Sequence, residues 1–174
     1  MNENIIIPKS HYSIKTTKDV TEIMSPLKKY GIMTFCYARC FTDGSLRILI
    51  SNEELYRHHF KSGYKIAPTI HQSFNQLKTN RQYHLATSRT DEPYSKALYD
   101  YKNLFNLENV MFLIEEKFNY VDLFVYTSQA NNPDIINFYL NKMDVLEKFK
   151  NYLITVLIFL TLNCLSIGNH PKKF

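Results

Sequence analysis

A chain of 174 residues that is 45% hydrophobic and 21% charged has the length and make-up of one globular domain with a real core, which excludes an intrinsically disordered chain. Its formal net charge of +5 permits contact with an anionic partner, but Lys28-Lys29 and Lys172-Lys173 are the only adjacent basic pairs. With no Arg-rich stripe, the excess reads as solubility charge rather than as a nucleic-acid surface. Three cysteines without framework spacing point to a reducing, cytoplasmic setting. The opening "MNENIIIPKSHYS" has no apolar core of signal-peptide length.

The first periodic segment is "TKDVTEIMSPLKKYG". Asp19 and Glu22 have capping-box spacing, and Val20, Ile23, Met24 and Leu27 form one helical stripe. Pro26 predicts a bend or an early end, and Gly31 a stop. Two β-rich runs follow, Ile32–Phe41 and Leu46–Ser51, around Thr42-Asp43-Gly44-Ser45; an Asp-Gly there predicts a hairpin. Leu46, Ile48 and Ile50 share a face, so the second run reads as a half-buried strand. Cys36 and Cys40 fall on one face of the first run, about 13 Å apart at roughly 3.3 Å per residue, too far for a shared metal or disulfide. Both read as small buried hydrophobes.

Asn52 predicts the cap of a short helix, "EELYRHHFK", ending near Gly63. The segment "HQSFNQLKTNRQY" reads as a further short helix and "LATSRTDEP" as loop. Pro93 opens "YSKALYDYKNLFN", with Ala97, Leu98, Tyr101, Leu104 and Phe105 as its inner stripe. A second hairpin pairs Val110–Glu115 with Tyr120–Thr127. In it Val121, Leu123, Val125 and Thr127 share one face, and Asp122, Phe124 and Tyr126 the other. Last comes a long helix with Asn132 as N-cap, Pro133 at its first position and a core face of Ile135, Ile136, Tyr139, Leu140, Met143, Leu146 and Phe149. Two antiparallel hairpins with helices before, between and after them predict an α+β single domain, one antiparallel sheet covered by helices.

Catalytic signatures are missing. Four glycines leave no phosphate-cradling loop, and neither a nucleophile elbow nor an HExxH helix is present. His58 and His59 splay about 100° apart on a helix and cannot chelate one ion as an i, i+4 pair would. His59 reads first as a packed histidine. Glu115 and Glu116 face opposite ways and form no acid/base dyad. Neither an enzyme, a metal nor a cofactor is expected.

The phrases "PLKKYGIMTFCYARCFTDGSLRILISNEELYRHHF" and "NLFNLENVMFLIEEKFNYVDLFVYTSQANNPDIINFYLNKMDVLEKF" resemble the start and end of the ligand-sensing domain of LuxR-type transcription regulators, in a divergent branch. The resemblance spans Asp19 to Lys150. It implies a PAS/GAF-like α-β-α sandwich that holds a small apolar molecule between sheet and helices and dimerises. Autoinducer-binding members carry a W-x3-Y-x4-Y-x2-D-P pattern beside the pocket. Laid over "LYRHHFKSGYKIAP" it places Leu55, His59, Tyr64, Ala67 and Pro68 at those positions. In the family the tryptophan donates to the lactone carbonyl and the aspartate accepts from the ligand amide, which leucine and alanine cannot do. A buried amide left without its acceptor costs about 1–3 kcal/mol, so ordinary acyl-homoserine lactone is not the expected ligand. Tyr37, His59, Tyr64 and Thr127 remain as candidate polar handles, each with core packing as the alternative.

The sequence divides into an N-terminal segment (1–18), the LuxR-like sensing domain (19–150) and an apolar tail (151–174). Family members continue into a helix-turn-helix domain, and nothing here resembles one, so direct nucleic-acid binding by this chain is not expected. Only Thr155, Thr161, Asn163 and Ser166 interrupt the apolar run from Tyr152 to Ile167. About sixteen residues fall short of the ~18–20 that cross a bilayer. The leading expectation for the tail is an extension foreign to the family, left by a truncation or frameshift. The alternatives are a helix packing on the domain or across a dimer, and a membrane anchor that would make the chain a membrane-associated interaction protein. The protein is thus expected to be a non-enzymatic cytoplasmic sensor and dimerisation domain, as a homodimer or a heterodimer with full-length relatives.

Overall fold

The computed structural model describes residues 8–64, 81–86 and 95–164, the stretch 157–164 by its backbone alone. Its sheet grows from the two hairpins that side-chain alternation marks. β1 (Ile32–Phe41) and β2 (Leu46–Ile50) flank the Asp-Gly turn, where Gly44 takes φ +81° and Asp43 Oδ1 accepts from the Ser45 N–H at 2.8 Å. After β3 (Arg81–Ala86), the strands β4 (Leu107–Glu116) and β5 (Tyr120–Gln129) form the second hairpin. The hairpins join through β1 and β5, giving the order β2-β1-β5-β4-β3 with every neighbour antiparallel.

The strand β3 corrects the reading of this region as helix end and loop. Arg81 to Ala86 pair in register with Glu115 to Val110 of β4. Its run is short and two-thirds polar or small, so no periodic signal separates it from loop; the exposed edge of β4 recruits it. The predicted short helix before it, and Pro93, lie largely or wholly outside the described residues.

Helices α1 (Tyr12–Lys15) and α2 (Thr17–Met24) run into a 3-10 helix (Ser25–Tyr30) at Pro26, the bend that proline predicts. Asp19 is not the cap of α2 but lies in its first turn, because the chain is already helical from Tyr12. The outer edge of β2 is covered by this segment. Ser13 Oγ donates to the Ile48 carbonyl at 2.7 Å, the Ile48 N–H donates to Tyr12 Oη at 2.5 Å, and Thr21 Oγ1 donates to the Ser51 carbonyl at 2.8 Å. Tyr12, Ser13 and Thr21 thereby bind this helical segment to the sheet.

The C-terminal helical region is two helices, α5 (Ile135–Asn141) and α6 (Met143–Cys164), rather than one. Lys142 breaks the line at φ −129°, ψ 33°. Docking imposes the break: Ile135 and Tyr139 anchor α5, with Tyr139 Oη donating to the Asn109 carbonyl, while Leu146, Phe149 and Leu153 lay α6 along the sheet. Leu140, assigned to the core face of a continuous helix, is 72% exposed for that reason. The N-cap is Asp134 rather than Asn132, and the helix begins at Ile135, so Pro133 lies in the turn ahead of it; Asn132 Oδ1 accepts from the Asp134 N–H at 3.2 Å within that turn.

With α2, α5 and α6 on one face, and α3 (Glu53–Lys61) and α4 (Ser95–Phe105) on the other, the sheet is sandwiched between helical layers, an α+β single domain. The first face is filled by aromatic rings, Phe35 and Phe149 meeting edge-on at 5.2 Å between centroids. It also buries charge. Arg39 clamps Asp122 through two bonds of 2.7 and 2.8 Å, and Lys150 pairs with both Glu115 and Glu147.

Candidate ligand cavity

Side-chain size separates the two faces of the sheet before any helix is placed. On β1, Phe35 and Tyr37 alternate with Thr34, Cys36 and Ala38; on β5, Phe124 and Tyr126 alternate with Leu123, Val125 and Thr127. The register puts large beside large, Tyr37 opposite Phe124 and Phe35 opposite Tyr126. It also puts small beside small, Cys36 opposite Val125 and Thr34 opposite Thr127. Rings therefore fill the α5–α6 side, and the α3–α4 side is left with room. There a cavity of about 120 Å³ lies between the sheet and the two helices.

Its walls are Ile48 and Ile50 from β2, Leu55 and Phe60 from α3, Leu98 from α4 and Phe112 from β4, among others, and among the described residues no charged side chain lines it. Helix α3 is held over the cavity by its cap: Asn52 Oδ1 accepts from the Leu55 N–H at 3.0 Å. Two contacts tie α3 to α4. His58 Nε2 meets Asp100 Oδ2 at 3.1 Å, and His59 Nδ1 is hydrogen-bonded to Tyr101 Oη. Tyr64, just past α3, donates to the same Asp100 oxygen at 2.5 Å.

Burial sets the protonation states. It lowers the His59 pKa to about 4, with His58 adding to the shift, so the ring is neutral at physiological pH. Burial also raises the Tyr101 hydroxyl well above its usual 10, and lifts the Cys36 thiol to about 12, with Cys40 adding to it. A thiol held protonated is no nucleophile. Among the described residues no group of three or more His, Cys, Asp or Glu side chains is placed to hold a metal ion.

Of the residues the sequence nominates, the cavity brings together Leu55, His59 and Thr127. Tyr37 is a correction. One residue from Cys36, it falls on the opposite face by the period of a strand, and its hydroxyl donates to Asp122 Oδ1 at 2.7 Å. Tyr64 is committed to Asp100 and does not line the cavity. Ala67 and Pro68 lie outside the described residues. Tyr101, nominated only as core, proves to be a polar wall residue, and Thr34 and Cys36 line the void unforeseen. The signal for the last two was present in "TFCYARC", where every second residue is small.

No protein-family model matches the sequence, and no curated protein sequence matches it. A solved structure does resemble it: the N-acylhomoserine lactone dependent LuxR family transcription factor CepR2 from Burkholderia cenocepacia. The TM-score is 0.59 at 14% identity, over 83% of this chain and 95% of that one. The likeness shows the fold. It is the LuxR-type sensor-domain fold that the two phrases in the sequence resemble. Among the described residues no helix is long and apolar enough to cross a membrane.

Proposed function

We propose that this chain is a non-enzymatic small-molecule sensory domain of a LuxR-like transcription regulator, which binds a small apolar ligand between sheet and helices and pairs with a second copy or with a full-length relative. The observation that carries the reading is the uncharged apolar cavity under α3 and α4, in a fold similar to that of CepR2. CepR2 is lactone-dependent; for this chain the ligand class is narrower. Leucine at position 55 cannot donate to a lactone carbonyl, and a cavity of about 120 Å³ is well below the ~300–1,000 Å³ of sites that enclose drug-sized molecules.

The test is native mass spectrometry of the purified full-length chain beside its denatured mass. The reading expects a dimer carrying added mass that is lost on denaturation. A monomer without added mass, unchanged after incubation with a cell extract of small molecules, would overturn it. Regulation by pairing is checked by a gel shift in which the chain is titrated against a full-length relative on its operator, with lowered operator affinity as the expected outcome.

A further inference from the structure

The His59 ring has one polar atom engaged and one idle. Its Nδ1 is bonded to Tyr101 Oη, while Nε2 is shut off from solvent and has no partner among the described residues. Two tautomers can make the observed bond. If Nδ1–H donated to Tyr101, the Tyr101 hydrogen would have no acceptor among the described residues, and the Nε2 lone pair would be idle as well. If Tyr101 donates to Nδ1, one bond satisfies both groups and leaves a single orphan, the Nε2–H. The second arrangement strands fewer groups, and stranded buried groups are the costly ones. A neutral ring and a protonated phenol, which burial enforces on both, are what it requires.

We infer that the cavity takes a compact, uncharged molecule that accepts one hydrogen bond from His59 Nε2–H and is otherwise apolar, a small ketone or its chemical equivalent. This inference rests on the reading of the domain as a small-molecule sensor and gives that ligand a size and a polarity. Size comes from the void: an apolar cavity of about 150 Å³ takes up benzene, so about 120 Å³ holds a molecule of that order unless the walls move. Charge is disfavoured because, among the described residues, no charged side chain lines the wall. Polarity comes from His59, which stands at the cavity wall and supplies a donor. Thr34 and Thr127 also line the wall, but a hydroxyl can donate or accept and fixes no polarity, and the oxygen of the nearby Asn52 side chain is already occupied at the helix cap.

The test uses the full-length chain and a pair of probes equal in size, cyclopentanone and methylcyclopentane. Long-range proton–nitrogen NMR of the histidine rings reads the tautomer directly, and titration with each probe reads binding. The expected results are an Nε2-protonated His59, and a downfield shift of that proton with the ketone that the hydrocarbon does not produce. In His59→Phe ketone affinity falls about ten-fold, while hydrocarbon affinity stays within about two-fold. An Nδ1-protonated ring, or a ketone that binds without moving the Nε2 proton, overturns the inference while leaving a sensor pocket in place. Binding of neither probe overturns the inference through the pocket itself, and the mass measurement above separates that outcome from failure of the sensor reading. The proton shift is read in the unmodified protein, so a poorly folding His59→Phe does not blunt the test.

Discussion

Replacing Lys150 with methionine should destabilise the domain through the sheet rather than through α6 itself. The Lys150 side chain is 2% exposed and is bonded to Glu115, which is 5% exposed, and to Glu147 at 2.8 Å. Methionine keeps the apolar stem and removes the ammonium. Breaking a buried pair from one side costs about 3–5 kcal/mol, since the surviving charge stays desolvated. Here Glu115 would keep Arg81 at 2.7 Å and Lys117 at 3.6 Å, both half-exposed, which retains part of the compensation. The expected loss is therefore about 2–3 kcal/mol, or roughly 1–1.5 M in urea midpoint at an m-value of about 2 kcal/mol/M.

The same pair carries a pH signature. Burial pushes the Glu115 pKa up, but the hydrogen bond and charge of Lys150, followed by Arg81 and Lys117, outweigh it and hold the carboxyl below its usual 4.5. A carboxylate with a depressed folded-state pKa contributes stability above the unfolded value and loses it as pH falls through the folded one. The gap between the natural protein and Lys150→Met should thus be full at pH 7 and narrow below about pH 4.5. Urea titrations at pH 7 and in acid, with Glu115→Gln/Lys150→Met as the closing corner of the cycle, measure it. A loss under about 1 kcal/mol at pH 7, or a double variant worse than the single, would refute the account of the pair.

Three further outcomes follow from other parts of the fold. His59, with its pKa lowered from 6.5 to about 4, stays neutral when folded while the unfolded chain protonates, so its contribution is complete above pH 6.5 and is lost between 6.5 and 4. That loss amounts to about 3 kcal/mol, and His59→Gln should flatten urea-midpoint profiles across this window. Gly31 sits at φ +83°, and an added Cβ would lie 2.1 Å from Asn132 Nδ2; Gly31→Ala should cost about 1–3 kcal/mol by thermal unfolding, and Asn132→Ala should restore only the steric share. Ala97→Leu from α4 should fill the void with apolar atoms, raise stability by about 1–2 kcal/mol and abolish cyclopentanone binding; retained binding would move the site elsewhere.

Local chemistry accounts for what the sequence made legible. The Asp43-Gly44 turn, the Asn52 cap and the bend at Pro26 each follow from residues adjacent to the feature they cause. Long-range effects stayed hidden. The strand β3 exists because β4 offers an open edge, and α5 parts from α6 because their apolar residues dock on different parts of the sheet. The site divides along the same line. Leu55 and His59 occupy positions of the resembling motif and also stand at the cavity wall, whereas the strand period sends Tyr37, next to Cys36, to the opposite face. Tyr101 reaches the wall through the packing of α4 on α3, separated from His59 by a long stretch of chain, and nothing local announces that contact.

The division of the sheet into a filled and an unfilled face is also an energetic arrangement. At about 24 cal/mol per Å³, an unoccupied cavity of about 120 Å³ corresponds to roughly 3 kcal/mol of lost packing. Domains of this kind have net stabilities of only about 5–15 kcal/mol, so such a void is tolerable only where the opposite face is packed well. That face supplies the rings of Phe35, Tyr126 and Phe149 and the clamp between Arg39 and Asp122. A molecule that fills the void and satisfies His59 recovers the lost contacts on the weaker side, where α3 and α4 are held by few polar bonds. Binding on this face therefore tightens the layer that has most to gain, and α3 and α4 are the elements through which occupancy would be felt.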